Sequence, residues 1–544
     1  MRDRNANHRI RVLLGCFGLL FALAILRAAW VQGANHDRYS KMAVTQHRET
    51  IKIPAGRGTI YDRTGEPLAI GEQATTVYAD PRNVVDAQRA AFIAGKVLGV
   101  DPGAIYPSLK DRTKGFVYVE RKADPQKAAA LGKRDIPGLG FYPEELRTYP
   151  QGRVAAHVLG FAGTDNHGLD GLERSLDKTL SGRPGFETIV KDPFGRAIDV
   201  VTSKPERPGK NVTLTIDHQI QANAEQVLAR TVDDWGARGG AAIVMDPRTG
   251  AILAMANYPT FDANDFATAS PESRRNRAVT DAYEPGSTFK IVTIAGALED
   301  NVVAPSTTFT LAPTIQVADR VIHEAHLRGT ETMTVKDILA QSSNIGTITI
   351  AEKLGPGELS SWVDRFGFGK RTGIDFPGES AGFALPVDEW SGSTIGNGGV
   401  RVTPHLVEKV GSHRAPKADR KRIVSRHTAD RMMAMFRDVV LEGTGTQAAI
   451  PGYTVAGKTG TAQKAEHGVY VKKYVASFVG LVPAKKPRLA ILVMVDEPHG
   501  DIYGGVVAAP AFRDIARFDL QYLEVPPDAP ETKALAASGG PVNQ

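Results

Sequence analysis

Glu284-Pro285-Gly286-Ser287-Thr288-Phe289-Lys290, followed by the apolar run Ile291, Val292, Ile294, Ala295, Ala297 and Leu298, reads as a turn that passes into a buried helix opening on a serine. With Ser287 in the first helical turn, Lys290 lies at i+3 on the same face, where its amine can meet the hydroxyl. The positive helix end and partial burial both disfavour an ammonium there, which favours a neutral, basic lysine. A serine hydroxyl is a poor nucleophile at neutral pH. Acyl transfer through it needs a base, a proton relay and a cation for an anionic substrate end. Ser342-Ser343-Asn344 and Lys458-Thr459-Gly460-Thr461, in that order downstream, contain residue types that supply these parts. Order matters, because Ser175-Leu176-Asp177-Lys178 repeats the spacing of Ser287 and Lys290 but lies among charges and opens no apolar helix.

Outward from the serine, the chain alternates strand and helix signals. Val212 to Ile216 is a strand, and Ala222 to Val232 a helical stretch. Ala241 to Met245 and Ala251 to Ala256 flank the turn Asp246-Pro247-Arg248-Thr249-Gly250. Ser477 to Val482 and Leu489 to Val495 flank Ala484-Lys485-Lys486-Pro487 in the same way, and Lys458 lies in an extended stretch from Thr454 to Ala462. Hairpin-paired strands with helices such as Ala429 to Leu441 packed on them define an α+β domain with an antiparallel sheet. It is expected over residues 208–521, with a disordered tail at 522–544 that is rich in Pro, Ala and Gly. Residues 51–207, turn-rich and without a nucleophile, are expected to form a non-catalytic pedestal after a polar connector at 32–50. In that pedestal Arg57 and Asp62 are read as fixing a hairpin around Asp62-Arg63-Thr64-Gly65.

Arg2, Arg4, Arg9 and Arg11 precede an apolar stretch from Val12 to Val31, about the 20 residues that a spanning helix needs. The positive flank places residues 1–11 in the cytoplasm, 12–31 in the membrane and everything after them outside. A cleaved signal peptide is the rival reading. At 544 residues and 42% hydrophobic content the chain has material for more than one packed core. Cys16 is the single cysteine and lies in the apolar stretch, so the rest can form no disulfide. The net charge of +6 comes from scattered residues without an aromatic-interleaved basic stripe, which argues against nucleic acid. His323-Glu324-Ala325-His326 lacks the i,i+4 histidine pair of a zinc helix, so no metal is expected.

The three motifs resemble the Ser-x-x-Lys, Ser-Asp-Asn and Lys-Thr-Gly signature of penicillin-binding proteins and class A β-lactamases, and the departure to Ser-Ser-Asn in the middle motif resembles the penicillin-binding side. Arg57-Gly58-Thr59-Ile60-Tyr61-Asp62-Arg63-Thr64-Gly65, Ala155-Ala156-His157-Val158-Leu159-Gly160 and Gly168-Leu169-Asp170-Gly171-Leu172-Glu173 are similar to boxes of the dimerisation-type module of class B, monofunctional penicillin-binding proteins. The resemblance implies a peptidoglycan D,D-transpeptidase. Ser287 would form the acyl-enzyme on the stem peptide with release of D-alanine, Lys290 would be the base, Ser342 the relay, and Asn344 a ligand of Lys290 and substrate. Lys458 would hold fixed positive charge toward the substrate carboxylate, which the Thr459 and Thr461 hydroxyls reach beside Gly460. The backbone N–H groups of Ser287 and Thr461 would hold the oxyanion. No cofactor is implied. Implied partners are peptidoglycan stem peptides, β-lactams as covalent inhibitors, and a SEDS-type glycosyltransferase with other cell-wall synthesis or divisome membrane proteins. Gly15, Gly18, Ala22 and Ala29 give the membrane helix a small-residue face that suits such an approach, while a plain lipid anchor fits the same residues. Tyr503-Gly504-Gly505 through Ala508-Ala509-Pro510 resembles the septal type. An elongation-type enzyme, a D,D-carboxypeptidase or β-lactamase, and a β-lactam receptor are the alternatives.

Overall fold

The computed structural model describes residues 2–30, 48–191, 197–317, 320–382, 399–466 and 469–529. Most of the expected connector, through residue 47, and the part of the expected 522–544 tail from residue 530 lie outside the described residues. The first part of that tail is ordered, contrary to expectation: Val525 is buried in a core and its carbonyl accepts the Tyr453 hydroxyl at 2.6 Å. The chain forms two compact units, Met1–Gly56 with Gly182–Gly209, and Arg57–Ser181 with Lys210–Gln544.

The first unit holds the helix Arg2–Ala29, whose window Val12–Ala29 has a mean hydropathy of 2.3 and is wholly unburied. It also holds an antiparallel sheet of Arg48–Ile53, Gly185–Lys191 and Ala197–Lys204, with Gly185–Lys191 in the middle.

In the second unit a five-stranded antiparallel sheet runs in the order Ile252–Tyr258, Gly239–Met245, Leu489–Asp496, Val469–Val482, Ala456–Glu466. Its first hairpin closes as the turn residues require: Asp246 Oδ1 accepts Arg248 N at 2.8 Å and Asp246 O accepts Gly250 N at 2.9 Å. Side chains alternate between two cores. Phe478 enters one with Ile491, Val493 and the helices His218–Asp234 and Ala509–Tyr522. Val479 faces the other, built from the helices Lys290–Glu299, Asn344–Leu354, Pro356–Phe366 and Arg426–Leu441 around Trp362. Lys458 pairs with Val479 across the sheet and therefore shares its face. This register aims the Lys458 amine toward the helix that Lys290 begins.

A second sheet crosses the boundary expected at residue 207. Ile60–Tyr61 pairs in parallel with Val212–Leu214, which continues to Val407–Val410 and His413–Arg414. On its other side Ile60–Tyr61 pairs with Pro67–Ala79, flanked by Val117–Ala123 and Leu139–Thr148. One core takes Ile60, Leu68, Leu159 and Leu172 from before the expected boundary and Val212, Leu214, Ile252 and Leu406 from after it.

Arg57 and Asp62 are structural in this fold. Arg57 is buried, with Nε on Glu173 Oε2 at 2.6 Å and Nη1 on Asp177 Oδ1 at 2.7 Å. Asp62 Oδ1 accepts Thr64 N at 2.7 Å and Glu66 N at 2.9 Å, closing the hairpin turn. Its Oδ2 bonds His218 Nδ1 at 2.6 Å. Asp62, Asp217 and His218 bring ligand atoms within 4.8 Å of one another, but those atoms already serve the turn and the cap of the helix His218–Asp234.

Candidate active site

Ser287 occupies a 3-10 turn, Gly286–Phe289, that leads directly into the helix Lys290–Glu299. Gly286 has a φ of +53°, and a Cβ there would lie 2.4 Å from the Thr461 carbonyl oxygen. Turn and terminal strand thus abut with no side chain between them, which sets Ser287 beside Thr461. Gly460 permits the same close approach, since its Cβ would meet Ser477 Oγ at 2.3 Å and Thr288 Cγ2 at 3.0 Å.

Lys290 is only 7% exposed. Its Nζ donates to the Ser342 carbonyl at 2.5 Å, to Asn344 Oδ1 at 2.7 Å and to Ser342 Oγ at 3.2 Å. Lys458, fully buried, donates to the same Ser342 Oγ at 2.9 Å and to Thr459 O at 3.0 Å. The Ser342 hydroxyl therefore sits between two amines. Its backbone is left-handed, φ +56°, a costly conformation for a residue with a Cβ. It is held there between the helices Val335–Ala340 and Asn344–Leu354. Ser287 Oγ makes no hydrogen bond to any described residue, so the Ser287–Lys290 contact expected from their spacing is not formed in this resting arrangement. Such contacts often tighten only when substrate is bound.

Burial brings the Lys290 amine down to about 7, with the Glu324 carboxylate pulling it up and the Arg328 guanidinium pulling it further down. Lys458 is driven well below the usual lysine range by burial and then by Lys290 beside it. No carboxylate pairs with Lys458 among the described residues. The fixed positive charge expected at this position is thus not a property of these residues alone, because an unpaired buried cation is expensive. A carboxylate arriving beside it would favour the ammonium again. Thr459 Oγ1 bonds Thr444 Oγ1 at 2.8 Å and accepts from Lys458 at 3.2 Å, while Thr461 Oγ1 accepts Gly504 N at 3.2 Å.

Sequence reasoning missed the supports of the middle motif. Glu324 is buried, and its Oε1 accepts the Ser343 hydroxyl at 2.5 Å while Oε2 accepts Asn344 N at 2.7 Å. The neighbouring His323 carbonyl accepts Asn344 Nδ2 at 3.1 Å. The His-x-x-His spacing drew attention to this segment only as a metal pattern. A carboxylate contact about twenty residues away in sequence leaves no local signal.

An amine whose proton affinity burial brings down to about 7, a hydroxyl shared by two lysines and a serine on a tight turn beside a strand define an active-serine acyl-transfer enzyme. Residues 240–517 match the Penicillin binding protein transpeptidase domain family, and residues 52–214 match the Penicillin-binding Protein dimerisation domain family. The chain is 33% identical over 548 residues to Peptidoglycan D,D-transpeptidase FtsI of Escherichia coli (strain K12), covering 96% of this chain and 93% of the relative. It is also 33% identical over 590 residues to Penicillin-binding protein PbpB of Mycobacterium tuberculosis, covering 96% and 85%. The crystal structure of penicillin binding protein 3 from Mycobacterium tuberculosis, complexed with aztreonam, superposes with a TM-score of 0.69 at 30% identity, covering 88% of this chain and 99% of that one. The chain belongs to the class B penicillin-binding proteins, and is a serine-type peptidoglycan D,D-transpeptidase.

Proposed function

We propose that this transpeptidase works at the division septum through an acyl-enzyme on Ser287. Lys290 in its neutral form takes the serine proton as Oγ attacks the penultimate D-alanine carbonyl of a stem peptide. The proton passes by way of Ser342 to the leaving D-alanine nitrogen. The N–H groups of Ser287 and Thr461 hold the oxyanion, and Asn344 aligns the peptide. Lys458, charged once a carboxylate lies beside it, and the Thr459 and Thr461 hydroxyls hold the substrate's C-terminal carboxylate. An amine on a neighbouring stem then takes the acyl group and closes a cross-link. The observation that carries this reading is the convergence of Lys290 and Lys458 on the one Ser342 hydroxyl.

The helix Arg2–Ala29 suits a single-pass anchor with its N-terminus inside, leaving both later modules on the outer face. We assign the parts as residues 1–11 inside, 12–31 in the membrane, 51–207 as pedestal and 208–521 as the catalytic domain. The SEDS-type polymerase that supplies glycan strands is the partner this division of labour requires. Support for the septal type comes from the resemblance of the Tyr503-Gly504-Gly505 stretch to that type and from the similarity to Peptidoglycan D,D-transpeptidase FtsI and Penicillin-binding protein PbpB. The stretch packs on the strand that bears Lys458, where a Cβ on Gly504 would lie 2.4 Å from Gly460 O.

Intact-protein mass spectrometry after penicillin treatment tests the nucleophile. One adduct is expected on the wild type and on Ser175→Ala, and none on Ser287→Ala; an adduct that survives in Ser287→Ala would sink the assignment. A tagged chain should collect at midcell and bring a polytopic polymerase with it on purification, whereas an even sidewall distribution would point to the elongation type.

A further inference from the structure

The segment from His323 to Arg328 takes no part in the proposed reaction, yet it makes three hydrogen bonds to the middle motif and a fourth to Ile345 just after it. Glu324 Oε1 accepts the Ser343 hydroxyl at 2.5 Å and Ile345 N at 3.3 Å, and Oε2 accepts Asn344 N at 2.7 Å. These N–H groups belong to the first turn of the helix Asn344–Leu354, where a carboxylate is favoured by the unpaired donors and the helix dipole. The His323 carbonyl accepts Asn344 Nδ2 at 3.1 Å. That bond fixes which end of the carboxamide faces Lys290, so that Oδ1 is the atom offered to Nζ at 2.7 Å. Arg328 closes the group with Nη2 on Glu324 Oε1 at 2.9 Å.

We propose that Glu324 and Arg328 form a positioning pair for the acylation step: Glu324 holds Ser343 and Asn344 so that the Asn344 carboxamide oxygen meets Lys290, and Arg328 pairs with the Glu324 carboxylate and fixes it there.

A buried carboxylate near a lysine that must act as a base is otherwise a liability, because it favours the ammonium. The guanidinium, four residues on in the same connecting segment, offsets that effect. The charged groups that bear on Lys290 are Glu324, Arg328 and Lys458, and they come from two different walls of the site. Glu324 raises the Lys290 amine and Arg328 lowers it. The pair thus sets two properties at once, the geometry of the asparagine and the pH at which the lysine becomes a base.

This inference rests on Lys290 acting as the base for Ser287. Its test is the rate of acylation by a fluorescent penicillin, measured on the full-length protein in detergent between pH 5 and 9, a range of about two units either side of neutral. In the wild type the rate should rise through the Lys290 titration. Glu324→Gln removes a charge that holds the proton on, so the rising limb should move to lower pH by about half a unit or more. Its plateau should fall about tenfold, because the asparagine is less well held. Arg328→Gln removes the opposing charge and should move the limb to higher pH by a similar amount, and Arg328→Lys should restore it. A merely structural pair would lower both plateaus and leave the limb where it is. Limbs that coincide with the wild type in both folded variants overturn the proposal. If Glu324→Gln does not fold, the Arg328 variants alone decide. A wild type whose acylation shows no rising limb at all instead refutes the general-base reading beneath it.

Discussion

Ser342 shows how much of a site a single residue can carry. Its motif marks it as a relay, but the sequence gives no hint of its left-handed backbone, which turns one hydroxyl toward both Lys290 and Lys458. Ser287, Lys290, Asn344 and Lys458 were legible because each lies within a local pattern. The lowered proton affinity of Lys458 was not legible, since it depends on burial and on Lys290 converging from a distant segment. His157 makes the same point away from the chemistry. It sits in one of the boxes that resemble the family, and the structure buries it, with Nε2–H donated to the Ser273 carbonyl at 2.8 Å and its ring edge-on to Phe261. Burial brings its proton affinity down from 6.5 to about 4. Between those values the unfolded chain binds a proton that the folded chain refuses. Stability from this group is therefore complete above the unfolded value and is lost as pH falls toward 4, by up to about 3 kcal/mol. His157→Gln can keep the bond to Ser273 and cannot take up a proton. Thermal midpoints between pH 4 and 7 should fall less steeply in the variant than in the wild type; parallel curves would mean that another group titrates.

Among elements, the hairpins were the most readable, because turn residues and alternation coincide at Asp246 to Gly250. The strand from Val469 was expected to begin only at Ser477. Its first half carries Lys472 and Lys473, whose exposed side chains mask a ladder that continues to the pair Val469 and Glu466. The serine turn was expected as the start of an α-helix and is instead a 3-10 turn ahead of one. The difference follows from Gly286, whose positive φ and bare Cα let the turn press on the Thr461 backbone. Gly286→Ala should push turn and strand apart by the width of a methyl group while leaving both cores intact. Penicillin acylation is expected to fall about 100-fold, the order of loss that misplacing a reacting group brings. The thermal midpoint should move by only a few degrees, about 1 to 2 kcal/mol for one strained backbone position. Acylation at the wild-type rate would show that this contact does not set the nucleophile.

The feature of the whole molecule least visible in sequence is the join between pedestal and catalytic part. The chain reads as two modules, because the turn-rich stretch ends near Arg207 and a new pattern starts. In the structure the parallel pair Ile60–Val212 ties together residues some 150 positions apart, and parallel pairing of that range has no local signature. The consequence concerns autonomy. Val212, Leu214, Ile216 and Leu406 are completely buried in the core that Ile60, Leu68, Leu159 and Leu172 complete. A chain starting at Lys210 would leave those four side chains without their cover. At about 1.5 to 3 kcal/mol for each buried aliphatic group, the loss is about 6 to 12 kcal/mol, and a whole domain is stable by only about 5 to 15 kcal/mol. Removal of residues 1–56 leaves this core untouched. A chain starting at Arg57 should therefore unfold cooperatively in calorimetry and take up penicillin on Ser287. The chain starting at Lys210 should show no cooperative transition and no adduct. If the shorter chain proves cooperative and reactive, the catalytic fold is self-sufficient and the shared core serves only to orient the pedestal.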